Sequence, residues 1–259
     1  MNFMYYVRGF VRLTFFLLVT AFTVIWMKLH ALLRVPDRWE VARIGQHWAR
    51  MLMAVLGVEV QIRGEMPSGR QLILANHRSY IDIAAILSVI PCNFLSKKEI
   101  GEWPLVGAAA RMNNTVFVDR ECRKSRKLAR KRAKEVLDQG MNFAAFPEGT
   151  TTRGPGIVRF YKGLFEVAEE NGYPIVPIAL EYGERDDAWV DQDGFLEHFI
   201  RCFGKQRVFV SIAIGPQVQP GDPLHTRLFV ENWIKRNLTV PVGVPAQPAA
   251  DQIPDLALT

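Results

Sequence analysis

Seven short, largely apolar runs, near residues 59–63, 72–75, 93–96, 115–119, 143–146, 175–180 and 208–214, are spaced through this chain with helical segments between them. Runs of that length read as buried strands, and strands alternating with helices predict an α/β fold: a mixed central sheet flanked by helices. With 259 residues and 49% hydrophobic content, the chain can form one sizeable core plus an extra apolar element. That element precedes the strands. Leu13 to Met27 carries no charge and is bracketed by Arg8, Arg12 and Lys28, which predicts a membrane-associated helical segment. Its length falls short of the roughly 20 residues of a full span. Trp26, Met27, Lys28 and Leu29 follow where a cleaved signal peptide would need a small-x-small site, so cleavage is not expected. A second helix is expected over Trp39 to Leu56, with Val41, Ile44, Trp48, Met51, Leu52 and Val55 along one face. It either lies in a membrane interface beside the first or packs on the main domain. The chain thus divides into N-terminal helices (1–57), one main domain (58–238) and a tail (239–259). The tail is expected to be disordered, because Pro241, Pro245, Pro248 and Pro254 recur among small residues.

The chemistry concentrates in Asn76-His77-Arg78-Ser79-Tyr80-Ile81-Asp82. Histidine takes up a proton near neutral pH, and a carboxylate beside it fixes the tautomer and stabilises the cation formed. Residues five apart on a regular helix are rotated by roughly 140° and do not face each other, so His77 must precede the helix to meet Asp82. Ser79 as N-cap, in an S-x-x-D capping box with Asp82, arranges that. The same box also permits a plainer reading, in which Asp82 only caps a helix and His77 is a loop residue.

A second motif, Phe146-Pro147-Glu148-Gly149-Thr150, ends an apolar run and opens into a turn. Glu148 then stands at a strand end, where pockets form, unless the turn merely solvates it. Between the two motifs, Thr115-Val116-Phe117-Val118-Asp119-Arg120 reads as a strand that ends on arginine, the side chain best shaped to grip phosphate. Arg120 alternatively just begins the helix after it.

In order and spacing these blocks resemble the glycerolipid acyltransferase family typified by 1-acylglycerol-3-phosphate (lysophosphatidic acid) acyltransferase. Asn76-His77 through Asp82 matches the family's first block, Phe117 through Arg120 the second, Phe146 through Thr150 the third and Ile175 through Ala179 the fourth. Lys97-Lys98-Glu99 and Lys162-Gly163 also stand where family members often carry them. Two positions depart. Asn114 replaces the glycine six residues before the arginine, and a left-handed backbone is still open to asparagine. Thr151-Thr152 replaces the usual Arg-Ser after the third block, with Arg153 next.

The resemblance implies that residues 58–238 are an acyltransferase domain. In it His77 deprotonates an acceptor hydroxyl while that oxygen attacks an acyl thioester, and Asp82 orients the imidazole, with no acyl-enzyme. It implies an acceptor site of Arg120 on phosphate with Glu148, Gly149 and Thr150 on glycerol hydroxyls. Glu148 would otherwise repel phosphate, so Lys97 or Arg153 is expected to neutralise it unless it bonds neutral hydroxyl. Backbone amides near the third block are candidate oxyanion donors. The acceptor is then a lysophospholipid, first 1-acylglycerol 3-phosphate, with a lyso-aminolipid such as lyso-ornithine lipid left open by the altered third block. The family's N-terminal helices are expected to dip into one leaflet of the bilayer. The donor is an acyl carrier protein or coenzyme A thioester, consumed as substrate, and no cofactor is expected. A non-catalytic membrane adaptor is the rival from another class, although it has no chemical need of His77, Asp82 and Glu148 together.

The formal charge of +6 gathers in Arg120 to Lys134, where nine cations face one acidic residue, Glu121. Leu128, Ala129, Ala133, Val136 and Leu137 give this segment an apolar stripe, so it is expected as a docked helix with a basic outer face. Anionic lipid head groups and an acidic acyl carrier protein suit that face. Nucleic acid does not, for want of interleaved aromatics or a nucleic-acid motif. Cys92, Cys122 and Cys202 lack C-x-x-C spacing and suit reduced thiols, which places the domain on the cytoplasmic face of an inner membrane. His30, His47, His198 and His225 are scattered without ligand spacing, so no metal is expected. Asp186 to Asp191 reads as a polar loop with one aromatic, Trp189, which either lies at the surface or lines the acceptor entrance.

Overall fold

In a computed structural model, which describes residues 3–190 and 192–241, every one of the seven runs is a strand. The chain begins with helices α1 (Phe3–Leu33) and α2 (Arg38–Leu56), followed by β1 (Val58–Arg63), β2 (Leu72–Ala75), α3 (Ile81–Val89) and β3 (Asn93–Lys97). Short helices α4 (Lys98–Glu102) and α5 (Val106–Met112) lead to β4 (Val116–Val118), α6 (Arg123–Asp138) and β5 (Phe143–Ala145). Then come α7 (Gly163–Asn171), β6 (Ile175–Tyr182), α8 (Phe195–Phe203), β7 (Val208–Ile214) and α9 (Pro223–Asn237). The strands form one sheet in the order β1-β7-β6-β2-β5-β3-β4. Only β6 and β7 pair antiparallel, which makes it the expected mixed sheet.

β2 lies at the centre and buries all four of its side chains. Ile73 and Ala75 join one core and Leu72 and Leu74 the other, so a strand covered on both faces has no polar side to show. Helices α2, α3 and α8 complete the first core; α6, α7 and α9 complete the second. Neighbouring strands β2 and β5 therefore send their helices, α3 and α7, to opposite faces. In such sheets that divergence opens a crevice at the carboxyl ends of the strands.

α2 starts at the N-cap Asp37, whose side chain accepts the Glu40 N–H, and ends on Gly57 in the left-handed region. Val41 and Leu52 of the expected stripe are buried, and the rest of the buried face is rotated by about one position. Ala42, Gly45, Ala49, Leu52, Met53 and Leu56 turn inward, while Met51 is 42% exposed. The small residues let α2 approach α3 closely, and Trp48, only half-buried, donates its Nε1–H to Thr20 of α1 at 3.2 Å.

α1 begins well before its uncharged stretch, because Arg8 and Arg12 find partners. Arg8 donates to the Gly204 carbonyl at 2.9 Å, and Arg12 to those of Phe203, Lys205 and Gln206 at 3.0, 2.7 and 2.9 Å. Two guanidiniums thus satisfy carbonyls at and just beyond the C-terminus of α8, where cations are favoured. A Cβ at Gly9 would stand 3.0 Å from Ile200 Cδ1, so α1 and α8 are closely packed here. The 31-residue helix is long and apolar enough to cross a membrane. One side of it is nevertheless docked on the first core, and the opposite side exposes Phe10, Phe15, Leu18, Phe22, Ile25, Trp26 and Leu29.

The basic helix forms as expected from Arg123, except that Leu128 is 49% exposed instead of buried. Asn114 has φ 53°, the left-handed conformation expected of it. The tail expectation falls largely on residues 242–259, outside the described residues.

The segment after β6 is packed rather than a surface loop. Asp187 is buried and accepts from Lys205 Nζ at 2.6 Å, and the Trp189 N–H donates to the Arg78 carbonyl. Beside it, His198 places Nε2 at 3.2 Å from the Asp187 carbonyl and Nδ1 at 3.1 Å from the Tyr80 hydroxyl. Burial pushes the pKa of His198 down from 6.5 to about 4. Between those values the unfolded chain takes up a proton that the native state refuses, so stability is lost as pH falls through the window. The loss is on the order of 2–3 kcal/mol. Urea midpoints at pH 7.5 and 4.5 should fall more in the wild type than in His198→Gln; equal falls would remove His198 as the cause.

Candidate active site

The ladder between β2 and β6 ends at Ala75, and the Asn76 side chain continues it. Its Nδ2 donates to the Leu180 carbonyl at 2.8 Å and its Oδ1 accepts the Leu180 N–H at 2.7 Å. This pins the turn that carries His77 to the sheet. The expected capping box forms only in half. Asp82 Oδ2 accepts the Ser79 N–H at 2.9 Å, but the Ser79 side chain caps nothing, and the helix proper starts after Tyr80. What turns His77 out of the helix is the carboxylate, which gathers the turn's amides onto itself.

Asp82 is fully buried and receives four donors. His77 Nδ1 lies 2.7 Å from Oδ2, the Arg78 and Ser79 N–H groups approach the same oxygen, and the Tyr182 hydroxyl donates to Oδ1 at 2.7 Å. Burial, with Asp82 beside it, holds the proton on Tyr182 far above the usual phenol range. An acceptor-only carboxylate requires the hydrogen on Nδ1, which leaves the lone pair of His77 on Nε2. The ring stacks on Phe146, with centroids 3.9 Å apart and planes 10° from parallel, and 15% of its side chain remains exposed. Hydrogen bond and stack together fix the imidazole in both direction and plane.

His77 follows β2 and Glu148 follows β5, so both stand at the crevice between diverging helices. Glu148 is 3% exposed; Oε1 accepts the His77 N–H at 2.7 Å and Oε2 the Val158 N–H at 2.9 Å. Burial raises its pKa, and these two amides and the charge of Arg78 oppose the rise. The carboxylate is thus bonded to backbone and points inward, holding the two motifs together. The cation that offsets it is Arg78, not Lys97 or Arg153. Arg153 is bound to both oxygens of Asp193 at 2.8 and 2.9 Å. Lys97 is exposed at the end of β3. Arg120 reaches across from the end of β4 to donate to the Gly149 carbonyl, beside exposed Thr150. Gly149 has φ 70°, the left-handed backbone that favours glycine, and a Cβ there would displace the exposed Tyr161 ring. Two amides near the third block are already committed, Gly149 N–H to Phe146 and Thr152 N–H to His77.

A family model described as Acyltransferase matches residues 57–181, which contain His77, Asp82, Arg120 and Glu148. A lyso-ornithine lipid O-acyltransferase of Pseudomonas aeruginosa is 37% identical over 178 residues, 66% of this chain and 68% of that protein. The chain belongs to the acyltransferase family. A 1-acyl-sn-glycerol-3-phosphate acyltransferase of Neisseria meningitidis is 34% identical to this acyltransferase over 136 residues, 51% of the chain and 53% of the relative. The chain therefore spans about two thirds of the first relative and about half of the second. The crystal structure of the 1-acyl-sn-glycerophosphate acyltransferase PlsC from Thermotoga maritima shares the fold, with TM-score 0.65 and 23% identity over 88% of this chain and 96% of that one.

Two residues of the acyltransferase's site gave no signal in the sequence. Arg78 has a fully buried guanidinium that binds Glu181 through Nε at 3.2 Å and Nη2 at 2.9 Å, and donates from Nη1 to Thr152 Oγ1 at 2.6 Å. Tyr182 completes the shell of Asp82 from a strand 100 residues on. The bonds to Glu181 and Tyr182 depend on β6 lying beside β2.

Proposed function

We propose that this acyltransferase moves a fatty acyl group from a thioester to the free hydroxyl of a lysolipid at a membrane surface, with His77 as general base. The observation that carries the reading is the His77–Asp82 bond, which leaves Nε2 as the acceptor at the crevice mouth. The acceptor O–H gives its proton to Nε2 as its oxygen bonds to the acyl carbon. The C–S bond then breaks, and the leaving thiolate takes the proton back from the imidazolium, whose charge Asp82 stabilises. Ester and free thiol are the products, and no enzyme nucleophile is consumed. The buried thiols Cys92 and Cys202 are pushed far up by burial, which fits a route without acyl-enzyme.

The exposed apolar side of α1 supports work at a bilayer. Each methylene of an acyl chain is worth about 0.8 kcal/mol when buried, so a site at the membrane avoids carrying the chain through water. The free cysteines suit the cytoplasmic face.

For the acceptor, Arg120 at the rim beside Gly149 and Thr150 favours a phosphate, hence 1-acylglycerol 3-phosphate giving phosphatidic acid. The 37% identity to a lyso-ornithine lipid enzyme, together with Thr151-Thr152, favours the second reading, a lyso-aminolipid. Steady-state assays of the wild type and Arg120→Ala with both acceptors separate them. A KM increase of about tenfold or more for the phosphate-bearing acceptor alone is expected if Arg120 grips phosphate. Equal effects on both acceptors would remove that role, and turnover of the aminolipid alone would establish the second reading.

A further inference from the structure

We infer that the outer face of α6 is the docking surface for an acidic protein that delivers the acyl group as a thioester. This rests on the acyl-transfer reading of the site and names its donor.

The charge on α6 does not serve the helix. Its first turn holds no acidic residue, its N-cap Cys122 makes no side-chain cap, and Arg123 and Lys124 stand at the end where the helix dipole disfavours cations. Arg123, Lys124 and Lys127 are also like charges three and four apart, which destabilises a helix further. Three of the four cations in the second half of α6 are paired, Arg130 with Glu166, Lys131 with Glu135 and Lys134 with Asp138, which leaves Arg132. Among the described residues, Arg123, Lys124 and Lys127 have no ion-pair partner. A surface that costs its own helix stability, and is left uncompensated chiefly at the end nearest the site, fits an external anion.

That end adjoins the site. α6 begins three residues after Arg120, whose side chain touches the Gly149 carbonyl. Leu128, 49% exposed on the same helix, adds an apolar contact.

The side of the sheet selects the partner. α6 packs on the second core and α1 on the first, so the two lie on opposite faces. With the apolar side of α1 on a bilayer, the basic face of α6 is turned to water and meets a soluble acidic protein rather than lipid. Acceptor and donor then reach the crevice from different sides.

The test compares the full chain in neutral detergent micelles with its triple variant Arg123→Glu, Lys124→Glu, Lys127→Glu. The donors are an acyl thioester on acyl carrier protein and the same acyl group on pantetheine, which is small and uncharged. The expected result is a KM for the carrier-borne donor raised about tenfold or more, with turnover of acyl-pantetheine unchanged. Fluorescence anisotropy of labelled carrier protein should show the same loss of affinity without any turnover. An unchanged KM and unchanged carrier affinity would overturn the docking surface, as would equal losses with both donors. Loss of binding to anionic vesicles with carrier affinity intact would reassign the face to lipid. If the wild type turns over neither donor, the acyl-transfer reading falls while the anisotropy still decides the surface.

Discussion

His77→Ala is expected to lose turnover by a factor on the order of 10²–10⁴ while the protein still folds. The loss follows from removing the imidazole whose lone pair a buried carboxylate presents to the crevice. Folding survives because Asp82 keeps its other donors, the Arg78 and Ser79 amides and the Tyr182 hydroxyl. Asn76 still ties the turn to β6. The KM for lysolipid should move little, since the imidazole is engaged by proton transfer rather than by ground-state binding. Steady-state kinetics with circular dichroism checks both halves. A folded variant with wild-type turnover would remove His77 as the base.

Arg78→Met is expected to be the most destabilising change near the site, by about 3–5 kcal/mol. Its guanidinium is fully buried, and losing it strands the half-buried Glu181 carboxylate and leaves Thr152 Oγ1 without its donor. The same side chain offsets Glu148, so the turn beneath His77 should loosen as well. Arg78→Lys should recover little, because an ammonium cannot serve Glu181 and Thr152 in one plane as a guanidinium does. Urea unfolding measures the loss; a change under about 1 kcal/mol would show that the buried pair is dispensable.

What the sequence disclosed was local. The central strands β2 and β5 were readable because burial on both faces leaves a short run with no polar position, and Asn114 because a left-handed turn has few occupants. His77 and Asp82 were readable because five residues separate them. Arg78 was not, since its partner Glu181 lies 103 residues away and meets it only through the order of the strands. Glu148 was visible as a site residue, but its inward direction was not, because the amides of His77 and Val158 that claim it have no sequence signature. The length of α1 was underestimated for a similar reason. Arg8 and Arg12 look like the end of an apolar helix until the carbonyls beyond α8 are placed beside them.

The most direct measurement mixes the folded protein, in lipid–detergent micelles, with radiolabelled acyl thioester and lysolipid, and follows free thiol, ester and protein-bound label together. Thiol release that depends on the lysolipid, one thiol for each ester formed and no label on the protein, is the result expected of direct transfer by a His77 base. Thiol release without lysolipid, or label held covalently by the protein, would contradict it.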